Sequence, residues 1–379
     1  MVGKKAGRGR NMATLTVESV THALRSVQDP ELGKDLVTLG MVSEVRVEGS
    51  EVSLTVVLTV AGCPMKAKIK QDVVDAIKAL GATSVGVTWG EMTSEQRKAL
   101  SGRLQAERKQ TGADGTTRPP AYWLQEQGVV CLAVVSGKGG VGKSTVASNL
   151  SVALARAGCR VGLVDADIYG FSIPEMMGVQ RRPVVIDETV VPVEQHGVQV
   201  MSMGFFVEDN APVIWRGPML GKMLRNFFVD IHWNQVTHFV LDLPPGTGDI
   251  ALDVHQMIPQ CKQILVTTPH PSAAHVAIRA GSMALHKTKH ELLGVVENMA
   301  WYENRLGEKE QVFGSGGGKK VAETLGVSLL SQIPLVSPGG TSEGVVRDAI
   351  YPPEHRLGAM YDQLAAAVLS KINSSSAAR

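Results

Sequence analysis

Ser136-Gly137-Lys138-Gly139-Gly140-Val141-Gly142-Lys143-Ser144-Thr145 decides how the larger part of this chain folds. Gly137, Gly139, Gly140 and Gly142 let the backbone take positive φ and turn its N–H groups onto phosphate oxygens, where the dipole of a following helix favours negative charge. Lys143 then reaches the β- and γ-phosphates, and Ser144 or Thr145 offers a hydroxyl to Mg²⁺. Such a loop needs a strand before it and a helix after it. Val129-Val130-Cys131-Leu132-Ala133-Val134-Val135 is an apolar run of strand length, and Thr145 to Ala157 is small and apolar at helical spacing. A second lysine, Lys138, stands five positions before Lys143.

From Gly128 onward strands and helices alternate, which predicts an α/β fold: a P-loop nucleotidase with a mostly parallel, doubly wound sheet. Strands are expected at Val129 to Val135, Arg160 to Val164, Val198 to Met203, His238 to Leu241, Gln263 to Thr267, Leu293 to Glu297 and Leu329 to Ile333. In such sheets the ligand sits at the carboxyl ends of the strands.

Upstream, residues 13–93 read as a small α+β domain. It comprises a helix around Val17 to Ser26, strands near Met41 to Val47 and Val52 to Val60, a helix from Pro64 to about Leu80, and a strand at Val85 to Trp89. Residues 1–12 read as a basic disordered arm, 94–127 as a polar linker with helical potential at Ser94 to Lys109, 128–372 as the nucleotidase domain and 373–379 as a disordered tail.

The chain has 379 residues, 44% hydrophobic and 20% charged, with a net charge of +2, the profile of a soluble globular protein. No apolar run approaches ~18 residues and the basic N-terminus lacks a signal core, so a cytoplasmic location is expected. A polar C-terminal stretch instead of a basic amphipathic helix, and a basic face offered only by the short N-terminal arm, predict neither membrane nor nucleic acid as partner. Cys63, Cys131, Cys159 and Cys261 form no C-x-x-C pair, which argues against structural disulfides. His286 and His290 have helical i, i+4 spacing but no third ligand nearby, and read as a solvated pair.

Two acidic motifs follow expected strands: Asp165-Ala166-Asp167, and Asp242-Leu243-Pro244-Pro245-Gly246-Thr247-Gly248-Asp249. A carboxylate at the tip of the neighbouring strand holds Mg²⁺, and a second orients the attacking water. Asp242 suits the first role and Asp167 the second, with Asp165 as a helper or a competitor for either. Gly246 can offer its N–H to the γ-phosphate and move when that phosphate leaves.

These motifs resemble the deviant Walker A, first switch and second switch of the group that includes the nitrogenase iron protein, the septum-site and chromosome-partition ATPases and arsenite ATPase. Within that group the chain resembles the Mrp (also called ApbC) iron–sulfur cluster carrier family. Tyr169-Gly170-Phe171-Ser172-Ile173-Pro174, Trp215-Arg216-Gly217-Pro218-Met219 and Val295-Val296-Glu297-Asn298-Met299 match it further. The N-terminal unit, with Asp29-Pro30-Glu31 and Gly62-Cys63-Pro64, resembles the small domain often fused to such carriers.

The resemblance implies a slow ATPase and a homodimer in which Lys138 crosses to the partner's ATP. It also implies that Asn298 contacts the adenine beside a loop near Pro334, and that the partners are apo iron–sulfur proteins or cluster-assembly factors. Most such carriers place a C-x-x-C pair after the Glu-Asn-Met segment, giving the dimer four thiolates for a bridging [4Fe–4S] cluster. Here Ala300-Trp301-Tyr302-Glu303-Asn304-Arg305-Leu306-Gly307-Glu308-Lys309-Glu310 has no cysteine. Family members without the pair but with the small domain exist, the plastid type among them.

Cys63 is the remaining candidate thiol for an iron–sulfur cluster. It is expected at the N-cap of the Pro64 helix, where the dipole, Lys66 and Lys68 would lower its pKa; the plain alternative is an inert packing residue. A different function class is a regulatory or positioning ATPase that has lost cluster binding.

Overall fold

The computed structural model describes residues 15–59, 65–110, 120–167, 170–206, 217–246, 254, 256–304, 306–336 and 349–377. It divides into two compact units: one runs up to Leu104 and also includes Val185–Glu188, and the other is made of the rest of the chain from Gln105.

The first unit opens on α1 (Val17–Ala23), capped reciprocally by Thr16 and Ser19. β1 (Val42–Glu48) and β2 (Glu51–Leu58) form an antiparallel hairpin, and α2 (Lys66–Lys78) turns Ile69, Val73 and Ile77 into the core. β3 (Ser84–Glu91) then pairs parallel to β2, a connection that α2 makes possible as the crossover. The N-cap of α2 is Met65, which corrects the expected N-cap position of Cys63; Cys63 itself lies outside the described residues. α3 (Ser94–Gln110) buries Leu100, Ser101 and Leu104, so the start of the expected linker is a packed helix.

In the second unit, α4 (Pro120–Glu126) leads into β4 (Val130–Ser136), α5 (Lys143–Arg156) and β5 (Val161–Asp165). Next come α6 (Ile173–Met176), the short β6 (Val184–Ile186), whose Val185 and Ile186 belong to the first unit, β7 (Thr189–Val191) and β8 (Val193–Gln195), and then β9 (Val198–Ser202). α7 (Gly217–Val229), β10 (His238–Asp242), β11 (Lys262–Thr267) and α8 (Pro271–His286) follow. The chain closes with β12 (Leu292–Glu303), β13 (Lys309–Glu310), α9 (Gly317–Leu325), β14 (Ser328–Leu335) and α10 (Arg356–Ala377).

Among the described residues the main sheet has nine strands in the order β13-β12-β11-β4-β10-β5-β9-β8, with β14 also on β12. Every pairing is parallel except those of the edge strands β8 and β13. Because both faces are covered, the strands read as continuous apolar runs: β5 is buried throughout and β10 almost so. α5 packs on β4, β5 and β10 and against α10, while α8 and α9 pack together over β11 and β12.

Two expectations change. β12 runs on to Glu303 instead of stopping at Glu297, with Met299 at φ +55° where its register with β14 shifts between Asn298 and Tyr302. The expected tail from residue 373 is helical as far as Ala377, and Ser375 bonds Glu291 and the Lys371 carbonyl.

Candidate nucleotide site

Parallel pairing brings the carboxyl ends of β4, β10 and β5 together: Asp242 is in register with Val134 on one side and Asp165 on the other. The phosphate loop leaves β4 at this edge. Gly140 and Gly142 have φ of +79° and +80°, and Gly142 is the N-cap that turns the loop into α5.

Two of these glycines have a further reason to be glycine. A Cβ on Gly137 would lie 2.5 Å from the Val276 carbonyl carbon in the backbone of α8, and one on Gly142 would lie 2.1 Å from Asn298 Nδ2. Asn298, expected at the adenine, is buried and donates from Nδ2 to the Val141 carbonyl at 2.9 Å, beneath the loop. Pro334 lines a separate cavity of about 300 Å³ with Tyr302, Val336 and His355.

Lys143 is 6% exposed and donates to Asp242 Oδ1 at 2.5 Å; its ammonium is 3.7 Å from Asp167 Oδ2 and 3.5 Å from Ser144 Oγ. Thr145 Oγ1 turns away, toward Met176 Sδ at 3.9 Å. Asp242 is fully buried, and among the described residues its Oδ2 has no hydrogen-bond partner. Burial pushes the Asp242 carboxyl up, opposed by the Lys143 ammonium. Asp165 is pushed up to about 8, first by burial and then by the Asp242 carboxylate.

A cavity of about 240 Å³ opens over these groups, lined by Lys138, Gly139, Gly140, Lys143, Ser144 and Asp167 among others. Lys138 is exposed and donates to Ser272 Oγ at 3.3 Å, at the start of α8. The Gly246 N–H donates to the Ser136 carbonyl at 2.8 Å, and residues 247–250 lie outside the described set. The arrangement offers N–H donors and an ammonium to phosphates, and an unpartnered buried carboxylate oxygen beside a hydroxyl, a donor set that suits a hard divalent cation.

Several buried polar groups were not candidates from sequence. Glu297 accepts from the Gly318 N–H and, at 2.6 Å, from Gln332 Nε2, so it caps α9. Ser202 binds Asp165; its only signal in the sequence is a serine at the end of a strand. His290 lies past the end of α8, buried beside Gln263, so it shares no helix face with His286. Among the described residues no group of three or more His, Cys, Asp or Glu side chains is arranged to hold a metal.

The family model described as NUBPL iron-transfer P-loop NTPase matches residues 129–369, and one described as iron-sulfur cluster assembly protein matches residues 18–89. The chain is 48% identical over 359 residues to the iron-sulfur cluster carrier protein of Bacillus subtilis, covering 94% of this chain and 98% of that one. It is 43% identical over 357 residues to that of Mycobacterium leprae, covering 91% of each. A solved nucleotide-binding protein from Archaeoglobus fulgidus in complex with ADP is 32% identical, with a TM-score of 0.48 over 64% of this chain and 91% of its own. With the phosphate loop and both acidic strand ends inside the larger matched region, the chain belongs to the NUBPL iron-transfer P-loop NTPase family.

Proposed function

We propose that the chain is an iron–sulfur cluster carrier that binds and hydrolyses ATP and works as a nucleotide-switched homodimer. The observation that carries this reading is the meeting of Lys143, Asp242, Asp167 and the phosphate loop at one sheet edge, in a chain whose near-full-length relatives are named as carriers.

On this reading the loop N–H groups and Lys143 bind the β- and γ-phosphates. Ser144 and Asp242 hold Mg²⁺, which when bound supplies charge neutralisation to the phosphate oxygens. Ser144 is preferred to Thr145 because the Thr145 hydroxyl faces Met176. Asp167 orients the water that attacks the γ-phosphorus, and ADP leaves as the bond to its β-phosphate oxygen breaks. The Gly246 N–H must release the Ser136 carbonyl to reach a phosphate, which makes it a sensor of the γ-phosphate. Lys138, exposed on the loop, serves the partner's nucleotide, and Asn298 holds the loop in shape next to the base.

Cys63 is the proposed thiol for the cargo cluster. Cys131 and Cys261 face each other in the core with their sulfurs 3.2 Å apart, and burial pushes the Cys131 thiol well up. Apo iron–sulfur proteins or assembly factors in the cytoplasm are the proposed partners. Among the described residues no helix is long and apolar enough to cross a membrane. The cysteine-free hairpin of β12 and β13 favours one second reading, an ATP-switched regulator without cargo.

Anaerobic reconstitution with iron and sulfide separates the two. The carrier reading expects cluster absorbance in the wild type and its loss in Cys63→Ala. No iron uptake by the wild type sinks it, and equal uptake by both proteins removes Cys63 as the ligand.

A further inference from the structure

β10, β5 and β9 end side by side, so that Asp242, Asp165 and Ser202 stand in one row across the sheet edge. Asp165 and Ser202 are both fully buried. We infer that the turn after β9, through Ser202 and Gly204, positions the water-orienting Asp167. The inference rests on the role given to Asp167 under the proposed function.

The Asp165 carboxyl group joins two parts of the chain that flank the acidic turn. Its Oδ1 accepts from the Asp167 N–H at 3.2 Å, and its Oδ2 accepts from the N–H of Ile173, the first residue of α6, at 3.3 Å. Ser202 Oγ donates to the same Oδ2 at 2.9 Å and itself accepts from the Gly204 N–H at 3.0 Å. The orientation of the Asp165 carboxyl group is therefore set from β9, and the Asp167 backbone is set by that group.

Gly204 supplies a second, steric support. A Cβ at this position would lie 2.6 Å from Phe171 Cδ2, so the Phe171 ring rests directly on the Gly204 backbone. Ser202 thus acts through a hydrogen bond on one side of the turn, and Gly204 acts through a ring contact on the other. Neither residue lines the nucleotide cavity. Both are positioning residues: they change turnover by moving Asp167, without touching phosphate.

The full-length chain tests this with Ser202→Ala, Ser202→Thr, Gly204→Ala, Phe171→Ala and the Phe171→Ala/Gly204→Ala pair. Steady-state ATP hydrolysis, binding of a fluorescent ATP analogue and amide hydrogen exchange are measured on each. Ser202→Ala should lower kcat about tenfold, the scale of a small misplacement of a catalytic group, with KM and analogue affinity changed less than about twofold. Ser202→Thr, which keeps the hydroxyl, should recover most of the loss.

Exchange at the Asp167 and Ile173 amides should rise in Ser202→Ala and return in Ser202→Thr. Unchanged kcat in Ser202→Ala, or a loss matched by weaker analogue binding, overturns the inference. A wild type that binds but does not hydrolyse ATP defeats the proposed function instead. The exchange measurement then decides the positioning on its own, and equal exchange in wild type and Ser202→Ala overturns it. If Ser202→Ala does not fold, the Gly204 arm decides. The double variant should lose no more than the worse single variant, and additive losses overturn the ring contact as the support.

Discussion

Lys143 Nζ lies 2.5 Å from Asp242 Oδ1, with the two side chains 6% and 0% exposed, so the phosphate-loop cation is also the counter-charge of a buried carboxylate. Removing one member of a buried pair leaves the other without compensation. Lys143→Ala should therefore abolish binding of a fluorescent ATP analogue and lower stability in urea by ~3–5 kcal/mol. Lys143→Ala/Asp242→Asn should regain part of that stability and none of the binding.

Asp165 yields a pH dependence. Its carboxyl is raised from 3.8 to about 8 by burial and by Asp242, so the folded state keeps a proton that the unfolded chain releases. The stability tied to this proton is complete below the unfolded value and is lost as pH rises through the folded one. Relative to Asp165→Asn, the thermal midpoint of the ligand-free wild type should fall between pH 3.8 and about 8 and level off above. A midpoint difference that does not change with pH would contradict this assignment.

Lys138 is exposed, and among the hydrogen bonds described its side chain contacts only a hydroxyl at the start of α8. Lys138→Ala should leave the affinity for the ATP analogue within about threefold while ATP-dependent dimer formation and turnover both fall, since an exposed cation contributes little to its own site. Sedimentation with and without ATP checks the first effect and phosphate release the second.

Gly137 and Gly139 are both loop glycines, yet they should respond differently to alanine. A Cβ on Gly137 would meet the backbone of α8 at 2.5 Å, whereas one on Gly139 has its nearest neighbour, Pro245 Cγ, at 3.9 Å. Gly137→Ala should lower stability by about 1–3 kcal/mol through overpacking that helix backbone cannot relieve, and Gly139→Ala should leave the urea midpoint nearly unchanged.

The sequence by itself determined the phosphate loop, the strand and helix around it, and the carboxylates at the ends of β5 and β10. These follow from local patterns: glycines at fixed spacing, apolar runs of strand length, and acids directly after them. The helices and strands of the small domain were legible in the same way, because alternation and helical periodicity are properties of neighbouring residues.

Only the tertiary structure decided which of these groups meet. That Asp242, Asp165 and Ser202 form one row depends on strand order, and β10 lies between β4 and β5 although it follows both by many residues. Asn298 beneath Gly142, Glu297 on the end of α9 and Gly137 against α8 are contacts between distant segments, invisible to any local period. The same holds for His290, expected on a helix face but buried beyond it, and for the last turns of α10, where Ser375 finds Glu291. Residue types announce a chemistry locally, but parallel pairing across crossovers sets the partners and the burial that give each group its role.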